Sequence, residues 1–284
     1  MSVLFCDSNC ELWHTTLREL PVELIRMPYT IDGKEYFYDM GEATDFEGYY
    51  KLMRSKAKAI TSALNAYDYV QYFEPWFAKG EDILYISFSH KLSGTFQSME
   101  NAVSDLLKKY PERKFEVFDT KSICVGAGIL VYYAGIMKKE GKSDAEIVEE
   151  LARLREKLHV FFAVDDLNHL KRGGRVSGAA AAVGTMLNLK PVLTVDDEGA
   201  LKPIAKVKGR KMVVNYFMEK LRSMEVDDSK IAFVVGADCP EELDALAERV
   251  SAEYPHLALT KQIVGPVIAT HCGPGTLGII FLSK

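Results

Sequence analysis

The residues most able to do chemistry lie together in Ser87-Phe88-Ser89-His90-Lys91-Leu92-Ser93-Gly94-Thr95. Hydroxyls dominate the stretch, and a hydroxyl can donate to a carboxylate or a phosphate. Its flanks decide where it sits. Asp82 to Phe88 is apolar, β-branched and aromatic, as a strand buried in a parallel sheet is. Downstream, Phe96, Met99, Val103, Leu106, Leu107 and Tyr110 recur at helical spacing. The hydroxyls therefore fall between the carboxyl end of a strand and the start of a helix. Open α/β sheets bind ligands there, and unpaired helix N–H groups favour anions. The turn has neither a phosphate-loop order nor a dinucleotide fingerprint, and no Gly-x-Ser-x-Gly elbow. Helix capping by Ser93 and Thr95 is the competing assignment.

Other segments offer chemistry of the same kind. Asp7-Ser8 follows a first strand at Val3 to Cys6, and Thr61-Ser62 is a second hydroxyl pair. Asp119-Thr120, with Ser122, Gly126 and Gly128, reads as a strand-end turn feeding a helix. Leu167 to Ser177 is a basic glycine turn, and Gly173, Gly174, Gly178 and Gly184 punctuate a region of small residues. His271 precedes the tight turn Gly273-Pro274-Gly275.

The elements that must carry these residues alternate. Leu24 to Met27 reads as a strand, Tyr29 to Ile31 and Glu35 to Tyr38 as a hairpin about Asp32-Gly33, and Asp45 to Lys58 as a helix. A strand at Phe115 to Phe118 completes the βαβ pattern of a parallel sheet. Ser143 and Glu146 form a capping box. After a strand at Val160 to Val164 come paired strands at Lys190 to Val195 and Leu201 to Val207. A helix near Met212 to Leu221 follows, then a strand at Ile231 to Val235, a helix with Pro240 in its first turn, and a last strand at Thr276 to Leu282. The expected organisation is α/β with two domains, 1–160 and 161–284.

Composition narrows the function. The chain has 284 residues, 48% hydrophobic and 26% charged, with net charge −5. That fits a globular protein and does not point to nucleic acid. No signal peptide and no apolar run of membrane-spanning length is evident. Five cysteines without a Cys-x-x-Cys pair suggest a reduced, cytoplasmic protein. Cys6 and Cys10 have no second ligand pair beside them, so no metal site is expected.

Taken in order, Asp7-Ser8, Thr61-Ser62, Ser93-Gly94-Thr95, Asp119-Thr120 with Ser122, Leu170 through Arg175, Lys190-Pro191-Val192-Leu193 and His271 with Gly273-Pro274-Gly275 resemble the DegV family of bacterial lipid-binding proteins. The resemblance implies an N-terminal parallel sheet flanked by helices and a C-terminal α/β domain with a mixed or antiparallel sheet. A long-chain fatty acid would lie in a tunnel between them. It implies a cytoplasmic carrier that is not itself an enzyme, needs no cofactor, and presents the acyl carboxylate to an ATP-dependent fatty acid kinase subunit. By the same resemblance Thr61, Ser62, Ser93, Gly94, Thr95 and His271 would hold the carboxylate. Where the family commonly continues the Thr-Ser pair with a Gln-Pro-Ser-like stretch, this chain has Ala63-Leu64-Asn65.

Chemistry agrees with a carrier. Burying a methylene contributes about 0.8 kcal/mol, so roughly fourteen supply on the order of 11 kcal/mol before association costs. The tail can supply affinity, and the head group needs hydrogen bonds that fix orientation. Lys202, Lys206, Lys208, Arg210 and Lys211 form a basic cluster. It reads as a solvated face or, with Arg172, Arg175, Lys206 and Lys208, as a partner-docking surface. A stand-alone phosphotransferase or hydrolase using Ser93 or His271, and a lipid sensor without transfer, are the alternatives.

Overall fold

A computed structural model describes residues 2–55, 57–176 and 189–284. Ser177, Gly178 and Gly184 of the small-residue region lie outside them. The chain divides into two compact units, residues 1–44 with 61–155, and residues 45–60 with 156–284. The single cut after residue 160 drawn from the sequence does not contain this excursion of 45–60.

The chain opens with β1 (Ser2–Asp7), α1 (His14–Arg18), β2 (Val22–Ile25), β3 (Pro28–Ile31) and β4 (Lys34–Phe37). Asp32 and Gly33 join β3 to β4 with φ of 48° and 81°. Two positive φ values are what a two-residue hairpin turn needs to match strand twist. Tyr29 stacks on Tyr36, its partner across the pair, at 5.3 Å.

The excursion carries α2 (Phe46–Arg54) and β5 (Ala59–Thr61). Asp45 caps α2 by accepting from the Gly48 N–H at 2.8 Å. The sequence reading carries this helix to Lys58, but it ends at Arg54. There the Ser55 hydroxyl turns back to donate to the Leu52 carbonyl, and Ala59, Ile60 and Thr61 form β5 instead.

The first unit continues with α3 (Ala66–Ala78), β6 (Asp82–Ser87), α4 (Thr95–Lys109), β7 (Phe115–Asp119), α5 (Val125–Lys139) and α6 (Asp144–Glu156). Its sheet is parallel, in the order β2-β1-β6-β7. The chain leaves β1 on one side for β2 and returns on the other at β6, so the switch point lies at the carboxyl ends of β1 and β6. Phe73 of α3 anchors the core, packing edge-on against Phe5 at 5.3 Å and tilted against Phe115 at 5.0 Å. The capping box of α6 forms: the Ser143 hydroxyl accepts from the Glu146 N–H, and the Glu146 carboxylate accepts from the Ser143 N–H.

The second unit contains β8 (Leu158–Ala163), α7 (Asn168–Arg172), β9 (Leu189–Val195), β10 (Leu201–Lys208), α8 (Arg210–Ser223), β11 (Ile231–Ala237), α9 (Pro240–Glu253), β12 (Ala258–Ile263), α10 (Pro266–Cys272) and β13 (Thr276–Leu282). Its six-stranded sheet runs β10-β9-β8-β13-β11-β12. β11 and β12 are parallel and the other neighbours antiparallel, which makes the sheet mixed. Phe217 and Leu221 of α8 and Leu246 and Val250 of α9 bury their apolar stripes with Phe161, Val234, Ile279 and Phe281 of the strands. Both sheets carry helices, and the architecture is α/β.

Candidate functional site

The switch point of the first unit is organised by Asp7, which is fully buried. Its carboxylate accepts from the Asn9 N–H at 2.9 Å, the Tyr85 hydroxyl at 2.8 Å and the Phe88 N–H at 3.2 Å. It thereby ties the end of β1 to the turn after β6. Burial pushes its pKa up to about 6, against the pull of those donors. Ser8, beside it, accepts from the Met27 N–H at 2.9 Å. These two landmarks hold the backbone together.

Past β6, His90 Nε2 lies 2.9 Å from Ser87 Oγ, and His90 Nδ1 lies 4.0 Å from an Asp119 oxygen. The imidazole stacks on Phe96 of α4, with ring centroids 3.8 Å apart. Burial lowers the His90 pKa, while Asp119 pulls it upward. Ser, His and Asp thus adjoin, yet Ser87 is fully buried and also donates toward the Phe118 carbonyl. An attacking oxygen must be able to meet a substrate carbonyl. The trio braces the turn.

Ser93, Gly94 and Thr95 open α4. Gly94 is the N-cap and provides no side-chain cap. Ser93, half-buried, accepts from the Thr95 N–H at 3.2 Å. A Cβ built on exposed Gly94 meets nothing within 4 Å, so open space lies over this helix start. Thr95 differs from its neighbours. It is 1% exposed, and its hydroxyl lies 2.8 Å from the Tyr69 hydroxyl and 3.4 Å from the Leu64 carbonyl. The Leu64 carbonyl can take the Thr95 proton, and either hydroxyl of the Thr95–Tyr69 pair can be the donor between them. These contacts join α4 to the 61–65 loop.

That loop holds Thr61, half-buried at the end of β5, and Ser62, exposed. The Ala63-Leu64-Asn65 departure has a defined shape. Leu64 is buried, and Asn65 caps α3 in a capping box with Asp68. The structure joins the loop and the α4 turn through Thr95, by the contacts of its hydroxyl with Leu64 and Tyr69. Tyr69 is the member that sequence reasoning missed. Asn65 and Asp68 were the available signal for the helix that carries it.

His271 lies in the second unit, in the last turn of α10. Each of two histidines covers a glycine there. A Cβ on Gly173 would overlap the His271 ring, and one on Gly273, at φ 78°, would come within 2.5 Å of the His169 ring. Burial and the neighbouring Arg175 guanidinium push the His271 pKa down to about 4. The ring is neutral at pH 7, where it offers a hydrogen bond and no charge.

The basic cluster divides. Lys202, Lys206 and Lys208 are exposed on one face of β10, an edge strand, and Arg172 is exposed on α7. Arg210 is ion-paired with Asp165 at 2.9 Å and Glu242 at 3.5 Å. Arg175 is half-buried beside His271, and its guanidinium donates to the Gly173 carbonyl. Among the described residues no group of three or more His, Cys, Asp or Glu could hold a metal, and no helix is long and apolar enough to cross a membrane.

The chain is thus an α/β protein with hydroxyls at a parallel-sheet switch point and a histidine before a C-terminal glycine turn. The family model for DegV, described as uncharacterised proteins, matches residues 2–284. A DegV domain-containing protein of Clostridium perfringens is 38% identical over 99% of this chain and 97% of its own length. The chain belongs to the DegV family. Among solved structures, a fatty-acid-binding DegV family protein from Thermus thermophilus superposes with a TM-score of 0.88 at 30% identity, covering 99% of each chain. DegV from Bacillus subtilis, a fatty acid binding protein, gives 0.85 at 29% identity, again over 99% of each chain.

Proposed function

We propose that this protein binds a long-chain fatty acid and acts as a cytoplasmic carrier. The observation that carries the reading is the start of α4, where the N-cap Gly94 has no side chain and the Ser93 hydroxyl lies beside it, in a chain 29–30% identical to two solved fatty-acid-binding proteins of its own family. The carboxylate is held by the Ser93 hydroxyl and the helix start at Gly94, with Thr61 and Ser62 on the adjoining loop. Thr95 supports that arrangement from within. His271, neutral, can donate one hydrogen bond to a fatty-acid carboxylate. Helix N–H groups and hydroxyls offset the cost of desolvating a carboxylate.

The finer reading is that a kinase partner phosphorylates the presented carboxylate using ATP, docking on the exposed Lys206 and Lys208 with Arg172. Two features favour carrier over enzyme: buried Ser87 is closed to attack, and Ser93 receives an N–H from its own helix. The test is mass spectrometry of small molecules released from the purified, denatured protein, with titration of added fatty acid. About one acyl chain per protein supports the carrier. Recovery of none, with no binding in titration, refutes it.

A further inference from the structure

Helix α10 has seven residues, too few to hold its shape by intrinsic propensity. Its neighbours must fix it, and α2 supplies two fully engaged phenols. Tyr49 and Tyr50 are adjacent, each 4% exposed, with rings edge to face at 5.3 Å. The Tyr50 hydroxyl donates to the Val264 carbonyl at 2.5 Å, just before the helix. The Tyr49 hydroxyl lies 3.0 Å from the Pro266 carbonyl and 2.9 Å from the Thr270 hydroxyl. Thr270 in turn donates to the Pro266 carbonyl at 2.8 Å. Tyr49 therefore grips both ends of one helical turn, and the next residue is His271. Helix α10 also meets α7, and beside it Gly173 admits the His271 ring.

We propose that Tyr49 is a positioning residue for fatty-acid binding, acting through Thr270 and α10 to hold His271 where its N–H meets the carboxylate. The inference rests on the head-group role of His271 given above. It also gives the 45–60 excursion a purpose: the segment docks on the second unit to brace the element that carries the histidine.

The experiment is a double-mutant cycle with Tyr49→Phe, His271→Ala and the pair, read by fatty-acid titration with stearate. NMR of the imidazole signals in otherwise intact protein accompanies it, the His271 resonance being assigned by its loss in His271→Ala. Tyr49→Phe keeps the ring and removes the hydroxyl. Loss of one hydrogen bond predicts affinity weaker by about threefold to tenfold in the native background. It predicts no loss in the His271→Ala background, and a shifted His271 signal in the ligand-free protein. Thr270→Val should reproduce the shift. A Tyr49→Phe protein with native affinity and an unmoved His271 signal overturns the proposal while leaving the head-group reading intact. Equal loss from Tyr49→Phe with and without His271 also overturns it. If His271→Ala binds stearate as tightly as the native protein, the role of His271 itself falls, and the positioning role with it.

Discussion

Exchanging the two hydroxyls that open α4 separates a ligand contact from a structural one. Ser93→Ala removes a half-buried hydroxyl whose observed duty is to accept one N–H, that of Thr95. As a cap it is worth about 1 kcal/mol of stability. As a donor to a carboxylate it is worth roughly 1.5–3 kcal/mol, or about ten- to a hundredfold in affinity. Thr95→Val keeps shape and removes a hydroxyl buried between Tyr69 and Leu64. Leaving those two groups unsatisfied costs about 1–3 kcal/mol of stability. At roughly 2–4 °C per kcal/mol, the melting temperature should fall by about 2–12 °C. Its effect on affinity should be small, because the hydroxyl is already engaged within the protein. Thermal melting and fatty-acid titration on the same samples read both quantities. The expected result crosses over: Ser93→Ala loses mainly affinity and Thr95→Val mainly stability. A Ser93→Ala protein that melts lower but binds as tightly as native would make Ser93 only a cap and refute the head-group assignment.

Three further expectations follow from the same geometry. The His271 pKa of about 4 lies below its ordinary 6.5, so the unfolded chain binds the proton more readily. This group's contribution to stability is therefore complete above pH 6.5, declines as pH falls toward 4, and amounts to as much as about 3 kcal/mol. Denaturant unfolding of native and His271→Ala proteins from pH 7.5 to 4 should show a shallower acid loss in the mutant, and equal slopes would refute the assignment. Gly173→Ala places a methyl on the His271 ring, so it should destabilise by about 1–3 kcal/mol, as overpacking does, and move the His271 NMR signal. An unmoved ring would show that the contact yields freely. Charge reversal of Lys206 and Lys208 should leave fatty-acid titration unchanged and slow acyl-phosphate formation with the cognate kinase and ATP, most strongly at low salt. Equal coupled rates at low salt would remove the docking surface.

Much of the chain was legible because local rules and tertiary structure agree. β1, β6 and β7 are short apolar runs, the Asp32-Gly33 turn has its two positive φ values, and Ser143 and Glu146 form their box. The parallel first sheet and the mixed second sheet, and membership in the DegV family, were legible from ordered landmarks. Helix α3 escaped notice. Pro75 interrupts its pattern, and Tyr69, Phe73 and Phe77 take their burial from strands and a helix distant in sequence. β12 and α10 escaped for a related reason: the strand alternates weakly, and the helix is held by Tyr49 and Tyr50 from far along the chain.

By itself the sequence determined residue type and order: which turns carry hydroxyls, which carry a histidine, and which strands precede them. It could not say which hydroxyl still has a proton to give. Thr95 and Ser93 look alike in one dimension, but Tyr69 and Leu64 close around one and open space lies beside the other. Nor could it assign the charge of His271, because desolvation and the nearness of Arg175 are properties of the folded neighbourhood. Hydrogen-bond partners and dielectric surroundings are set by residues distant in sequence, so only the tertiary structure decides them.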